Sequence, residues 1–115
     1  MFEQKKRYLT YKTNVKKFIK NMEEAKNCMS KNLYSNLVVS SAYKTLFYDF
    51  ADKAIEYQDA KTCYKLALLA DNSEYDVIKN CLRIVVLDNG DKRTIDLFMR
   101  NIPETNTLIK EDREM

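Results

Sequence analysis

The chain has 115 residues, 45% of them apolar and 32% charged, with a formal net charge of +3 and no histidine. That length fits one domain with one core, and the apolar share, with thirteen Phe and Tyr side chains, speaks against a disordered chain. Gly90 and Pro103 are the single glycine and proline, which excludes glycine-rich phosphate loops and a fold of many tight turns, and favours helices joined by polar connectors.

The first predicted element is a long helix. Tyr8, Tyr11, Val15, Phe18, Met22, Ala25 and Met29 recur at steps of three and four, so one side is apolar. Lys5, Lys12, Lys16 and Lys20 fall on the far side of the same wheel, with Lys6 and Lys17 beside them, so the wet face is basic. Lys5, Lys6 and Arg7 oppose the positive end of the helix dipole, which predicts an ordered start nearer Thr10. Short polar side chains at Ser30 to Asn32 predict its end.

Read as one helix, Leu33 to Ala70 would extend about 57 Å, too long for a domain of this size. Val39, Tyr43, Leu46, Phe47, Phe50, Ala54 and Tyr57 share one face, while Ala60, Cys63, Tyr64 and Ala67 define another. The joint is expected at Glu56 to Asp59, with Asp59 capping the second helix. Ser73 and Asp76 form the pattern of a capping box for a further helix that turns Val77, Ile78, Cys81, Leu82 and Val85 inward. Asn89-Gly90 offers it a left-handed cap. Asp91 then caps a last helix with Ile95, Phe98, Met99 and Ile102 inward, closed by Pro103.

A competing reading folds residues 82–98 as a β-hairpin around Asn89-Gly90, which would make the protein α+β. The helical spacing from Val77 to Val85 runs through the first of those strands and favours the helix. The expected architecture is therefore all-α, a four- or five-helix bundle of helical hairpins over residues 1–103. A mobile polar tail, 104–115, follows, in which Leu108 and Ile109 can tack onto the surface.

The apolar run at 84–87 falls far short of the roughly 20 residues that span a bilayer, and the N-terminus does not read as a secretory signal. Cys28, Cys63 and Cys81 are odd in number and widely spaced, as expected of free thiols in a reducing intracellular, cytoplasmic setting, at least two of them in the core. Cys28, off the apolar stripe, is the candidate surface thiol. Without histidine no transition-metal site is expected, and no cofactor is implied.

The segment AKTCYKLALLADN, with Ala60, Tyr64, Ala67, Leu68 and Asp71, resembles the second helix of a tetratricopeptide repeat. Counting on by the repeat period takes Tyr64 to Phe98, so the aromatic recurs, but Lys44, Tyr48 and Asn72 stand where the family carries an aromatic, a small residue and a closing proline. The resemblance covers about a dozen residues in detail and implies a groove for a peptide or partner helix.

Charge is unevenly placed. Residues 1–31 hold nine Lys or Arg against three Glu, and residues 32–115 hold eleven against fourteen acidic residues. A positive helix face suits phosphate backbones or acidic proteins, although lysine also serves plain solubility. Tyr8 and Tyr11 beside Lys5, Arg7 and Lys12 approximate a surface for single-stranded nucleic acid, but their place in the apolar stripe favours packing. A helix-turn-helix over 77–102 founders on Asp96, where the second helix should bury an apolar side chain. Lys92 and Arg93 are expected instead to pair with Asp88, Asp91 or Asp96.

Catalysis is not expected: Glu56 with Asp59, or Asp49 with Lys53, have only the spacing of ordinary surface pairs. No small-molecule substrate is indicated. The expected function is a non-catalytic protein–protein interaction module, a small adaptor, inhibitor or regulator. Its candidate interface is Tyr8, Tyr11, Val15, Phe18, Met22 and Met29, a stripe equally suited to a homodimer seam. The alternative is a nucleic-acid-binding regulator acting through the basic face.

Overall fold

A computed structural model describes residues 2–102, and the tail expected at 104–115, like the stop at Pro103, lies outside the described residues. The protein is an all-α bundle. Its helices are α1 (Phe2–Cys28), α2 (Lys31–Val38), α3 (Ser41–Glu56), α4 (Ala60–Leu69), α5 (Asp76–Asn89) and α6 (Lys92–Asn101), with one 3-10 turn at Ser73–Tyr75. The described residues thus hold six helices where four or five were expected, and no strand. The hairpin reading fails because both would-be strands lie in helices: Ile78, Leu82, Val85 and Val86 form one buried α5 face, and Asp91 starts a separate capped helix.

α1 starts at Phe2 rather than near Thr10. Its early lysines are exposed, where water screens them from the helix dipole. Tyr8 anchors that end: its ring meets Tyr57 edge-on at 5.1 Å, and Tyr57 in turn lies 5.0 Å from Tyr11. Cys28 ends the helix as expected, and the Ser30 hydroxyl accepts from the Leu33 amide at 3.2 Å to begin α2.

The extra helix arises from a break at Val39 and Ser40 that apolar spacing does not reveal. Ser40 is extended, its carbonyl accepts the Lys44 amide at 2.8 Å to open α3, and its hydroxyl donates back to the Leu37 carbonyl at 2.7 Å. The bend lets Tyr34 and Val38 of α2 and Phe47, Ala51 and Ala54 of α3 all be buried. The joint at Glu56 to Asp59 forms where expected, with Gln58 in the left-handed region at φ 53° and the Asp59 carboxylate accepting the Thr62 amide at 3.3 Å.

Two caps differ from expectation. Asn72, not Ser73, caps the next turn: its side-chain oxygen accepts the Glu74 amide at 2.9 Å, while its amide nitrogen donates to the Ser35 hydroxyl at 2.9 Å. A side chain with both donor and acceptor can tie this turn to α2, which serine cannot do at that reach. Gly90 has φ −75° and forms no left-handed cap. Its lack of a side chain matters for room, since a Cβ there would sit 2.6 Å from the Val86 carbonyl oxygen. Asp91 caps α6 as expected, accepting the Thr94 amide at 2.7 Å.

α4 is the centre of the fold and packs against α1, α3, α5 and α6. Its Ala60, Cys63, Leu66, Ala67 and Leu69 are buried, and the small ones let neighbouring helices approach closely. Phe47 and Tyr75 pack ring against ring in the core, tilted by 39° with centroids 4.4 Å apart.

A chain with one glycine must satisfy its helix C-termini by other means, and here long polar side chains do it. The buried Tyr75 hydroxyl donates to the carbonyl of Val38, the last residue of α2, at 2.5 Å. Tyr34 likewise donates to Leu69, the last residue of α4, at 2.6 Å, and Lys26 donates to Leu68 beside it at 2.8 Å. Burial, with Tyr48 and Glu74 nearby, pushes the Tyr75 phenol up to about 12, so it stays a donor. Burial beside Asp71 raises Tyr34 in the same sense.

Candidate functional site

Three surfaces carry the residues singled out above. The first is the junction of α1 with the start of α4. Asp59 lies between two helices and is held from both: the Tyr11 hydroxyl donates to it at 3.0 Å, Lys12 Nζ at 2.9 Å and the Thr62 hydroxyl at 2.8 Å. Its side chain is only 10% exposed. Burial pulls this carboxyl upward, but the Lys12 ammonium and the Thr62 hydroxyl and amide together outweigh that and leave it below the usual carboxylate range. The same burial, and the charge of Asp59, raise the Tyr11 phenol and push the Cys63 thiol up to about 12.

Lys12 is therefore not part of a free wet face. The reason is tertiary: the N-terminus of α4 rises against α1 at this level and brings a carboxylate to it. Ile19, outside the predicted stripe, is buried on the same flank. Of the expected interface residues, Tyr11, Val15, Phe18 and Met22 are buried within the chain, Met29 is partly buried against the core and Tyr8 stays 37% exposed. Glu56 and Asp59 serve different places, since Glu56 lines a groove of about 540 Å³ between α1 and α3 with Lys6, Arg7 and Lys53.

The second surface is basic and spans three helices. Lys16 and Lys20 of α1 face Lys65 of α4 across a groove of about 550 Å³, whose floor includes Val15 and Ile19. Lys65 also lines a smaller groove of about 240 Å³ with Lys61 and with Arg93 of α6. Arg93 in turn borders a shallow depression with Lys92 and Arg100. These seven cations are all exposed, and none makes an ion pair among the described residues. The pairs expected for Lys92 and Arg93 do not form there. Asp91 sits between Lys61 and Arg93, and its carboxyl is held below the usual range first by the Thr94 amide and hydroxyl and then by those two cations. Lys5 and Lys17 are exposed but border none of these grooves.

The third surface is apolar. Val77, Cys81 and Ile84 follow one another at helical spacing along α5, all exposed, with Leu87 and Met99 exposed nearby in sequence or fold. Sequence spacing had turned Val77, Cys81 and Met99 inward. In the structure the inner face of α5 is rotated toward Leu82, Val86 and, unexpectedly, Arg83, because α6 crosses there. The buried Arg83 guanidinium lies 5.0 Å over the Phe98 ring, donates to the Ile102 carbonyl at 3.4 Å and reaches the Met99 sulfur at 3.5 Å. Only Cys63 of the three free thiols is buried, one fewer than expected, and Cys28 and Cys81 are exposed.

No group of three or more Cys, Asp or Glu side chains is placed to hold a metal ion among the described residues. No helix among them is long and apolar enough to cross a membrane. Comparison of the chain with protein-family models, curated proteins and solved structures gives no match. Ala60 and Ala67, two of the residues that carry the tetratricopeptide resemblance, are buried where α4 meets its neighbours.

Proposed function

We propose that the protein is a non-catalytic interaction module, an adaptor, inhibitor or regulator, that receives an amphipathic helix of a partner protein on the exposed ridge of α5. The observation that carries this reading is the ridge itself: Val77 is 63% exposed and Ile84 58%, on a helix whose opposite face is fully packed. Val77 to Leu87 runs about 15 Å, three helical turns, which matches the apolar strip of one docked helix. Asp88, exposed at the C-terminal end of the ridge, favours a partner helix with a basic residue beside its apolar strip, whereas Asp76 at the other end is paired with Lys79 at 3.8 Å. The non-catalytic part of the reading is supported by the ionisable groups of displaced proton affinity. Tyr11, Tyr34 and Tyr75 are committed to internal hydrogen bonds, and Cys63 is buried as the thiol.

The test is site-specific photocrosslinking in cells from position 84, with position 17 on α1 as the control, followed by reconstitution of the crosslinked protein from purified parts. The reading expects an adduct at 84 and not at 17, and binding that V77D/I84D weakens at least tenfold while the melting temperature stays near wild type. No adduct specific to position 84, or reconstituted binding indifferent to V77D/I84D, sinks the reading. An adduct between two copies of this chain would reassign the ridge to a homodimer.

A further inference from the structure

The basic residues of α1 looked like one helix face in the sequence, and those of α6 like a separate cluster with local acidic partners. The fold rearranges both. Lys12 is consumed by Asp59, whereas Lys16 and Lys20 come to share a groove with Lys65, and Lys65 with Lys61 connects onward to Arg93, Lys92 and Arg100. Seven exposed cations from three helices thus follow one run of connected grooves. Interspersed are Glu23, Asp91 and Asp96, so the run keeps a surplus of positive charge.

We infer that this α1–α4–α6 face is a docking surface for the phosphodiester backbone of double-stranded nucleic acid. Four features select this occupant. The seven cations make no ion pairs among the described residues and outnumber the three carboxylates along the run, so a surplus of positive charge is available to a ligand. Lys16 and Lys20, one turn apart, stand about 6 Å from each other along α1, and the charge continues onto α4 and α6, which suits an extended, repeating anion. None of the large exposed apolar side chains lines these grooves, and without such anchors the face lacks the desolvated centre that protein interfaces build on. Finally, its aromatic side chain, Tyr64, is only partly exposed and accepts a hydrogen bond from Asn101 Nδ2 at 3.0 Å, so it is no platform for stacked bases. A duplex, read through its backbone, asks for none.

The surface is independent of the α5 ridge, and each can fail alone. The experiment is fluorescence-anisotropy titration of the full chain with labelled duplex and single-stranded oligonucleotides of one length at 50 and 200 mM salt. Saturable duplex binding is expected that weakens on the order of 100-fold over that range if about four phosphates are met. K61E/K65E/R93E should lose at least tenfold at the lower salt, while K6E/K17E/K53E, an equal charge change made on the α1–α3 side, should lose less than threefold. K65A and R93A singly, each expected to lose two- to fourfold, stand in if a triple variant does not fold by circular dichroism. Equal losses in both triple variants would show attraction to net charge and overturn the surface. So would no duplex binding at 50 mM salt, tighter binding of the single strand, or displacement of the duplex by poly-glutamate at equal charge concentration, which would assign the face to an acidic protein.

Discussion

α1 and α5 are both amphipathic helices docked on α4, yet they use their apolar residues in opposite ways. α1 buries Tyr11, Val15, Phe18, Ile19 and Met22, and beyond Leu9 and Tyr8 near its start the side chains it leaves outside are nearly all charged or polar. α5 buries Leu82, Val85 and Val86 but also Arg83, and leaves Val77, Ile84 and Leu87 in water. The difference teaches that the side of a helix facing inward is set by its neighbours. Over residues 10–27 of α1 every exposed position is a lysine, glutamate, threonine or asparagine, so along that stretch only one orientation is possible. α5 is apolar around most of its circumference, and the crossing of α6, with the Phe98 ring and the Ile102 carbonyl to be satisfied, decides which side turns in.

That contrast can be broken most forcefully at Phe98. Phe98→Ala removes a fully buried ring from beneath Arg83 and should cost about 3–5 kcal/mol in urea denaturation, with α6 amides losing hydrogen-exchange protection before those of α1. At the α1 end the matching lesion is polar. Asp59→Ala removes the α4 cap and strands the Tyr11 hydroxyl and the Lys12 ammonium, an expected loss of about 2–4 kcal/mol by the same measurement.

The carboxyl of Asp59 also gives the α1 end a pH signature. Its folded pKa lies below the unfolded value of about 3.9, so its stabilisation is complete above that value and is lost as pH falls through the folded pKa. Melting temperatures recorded from pH 6 down to pH 2.5 should therefore fall more steeply for the wild type than for Asp59→Asn. Parallel curves would mean that the carboxylate is not stabilised by its partners.

Smaller effects sharpen the picture. Tyr75→Phe keeps the ring packed against Phe47 and leaves the Val38 carbonyl without its donor, which should cost about 1–2 kcal/mol. Ile84→Asp, a change that would be ruinous on the inner face of α5, should move stability by no more than about 0.5 kcal/mol. A loss of several kcal/mol there would mean that Ile84 packs inside.

Much of the helical content was legible because it rests on local signals. The three-and-four spacing of α1, the cap at Asp59 and the cap at Asp91 each depend on residues within one or two turns, and each appears where expected. The break at Ser40 is not legible in the apolar spacing, which does not change there, and two consecutive serines are its one local sign. The cap at Asn72 rather than Ser73 is not a local signal, because its second role, the bond to Ser35, reaches a residue 37 positions away.

The sequence by itself determined an all-α chain, one strongly amphipathic basic helix and the joints that carry an aspartate cap, since hydrophobic period and capping are properties of neighbouring residues. Only the tertiary structure decided that Lys12 is paired, that Arg83 goes in while Val77 stays out, and that lysines of α1 and α4 line up with arginines of α6. Those outcomes turn on which helix ends and carbonyls meet across the bundle, and a buried polar group finds its partner through space, at separations along the chain that no local pattern encodes.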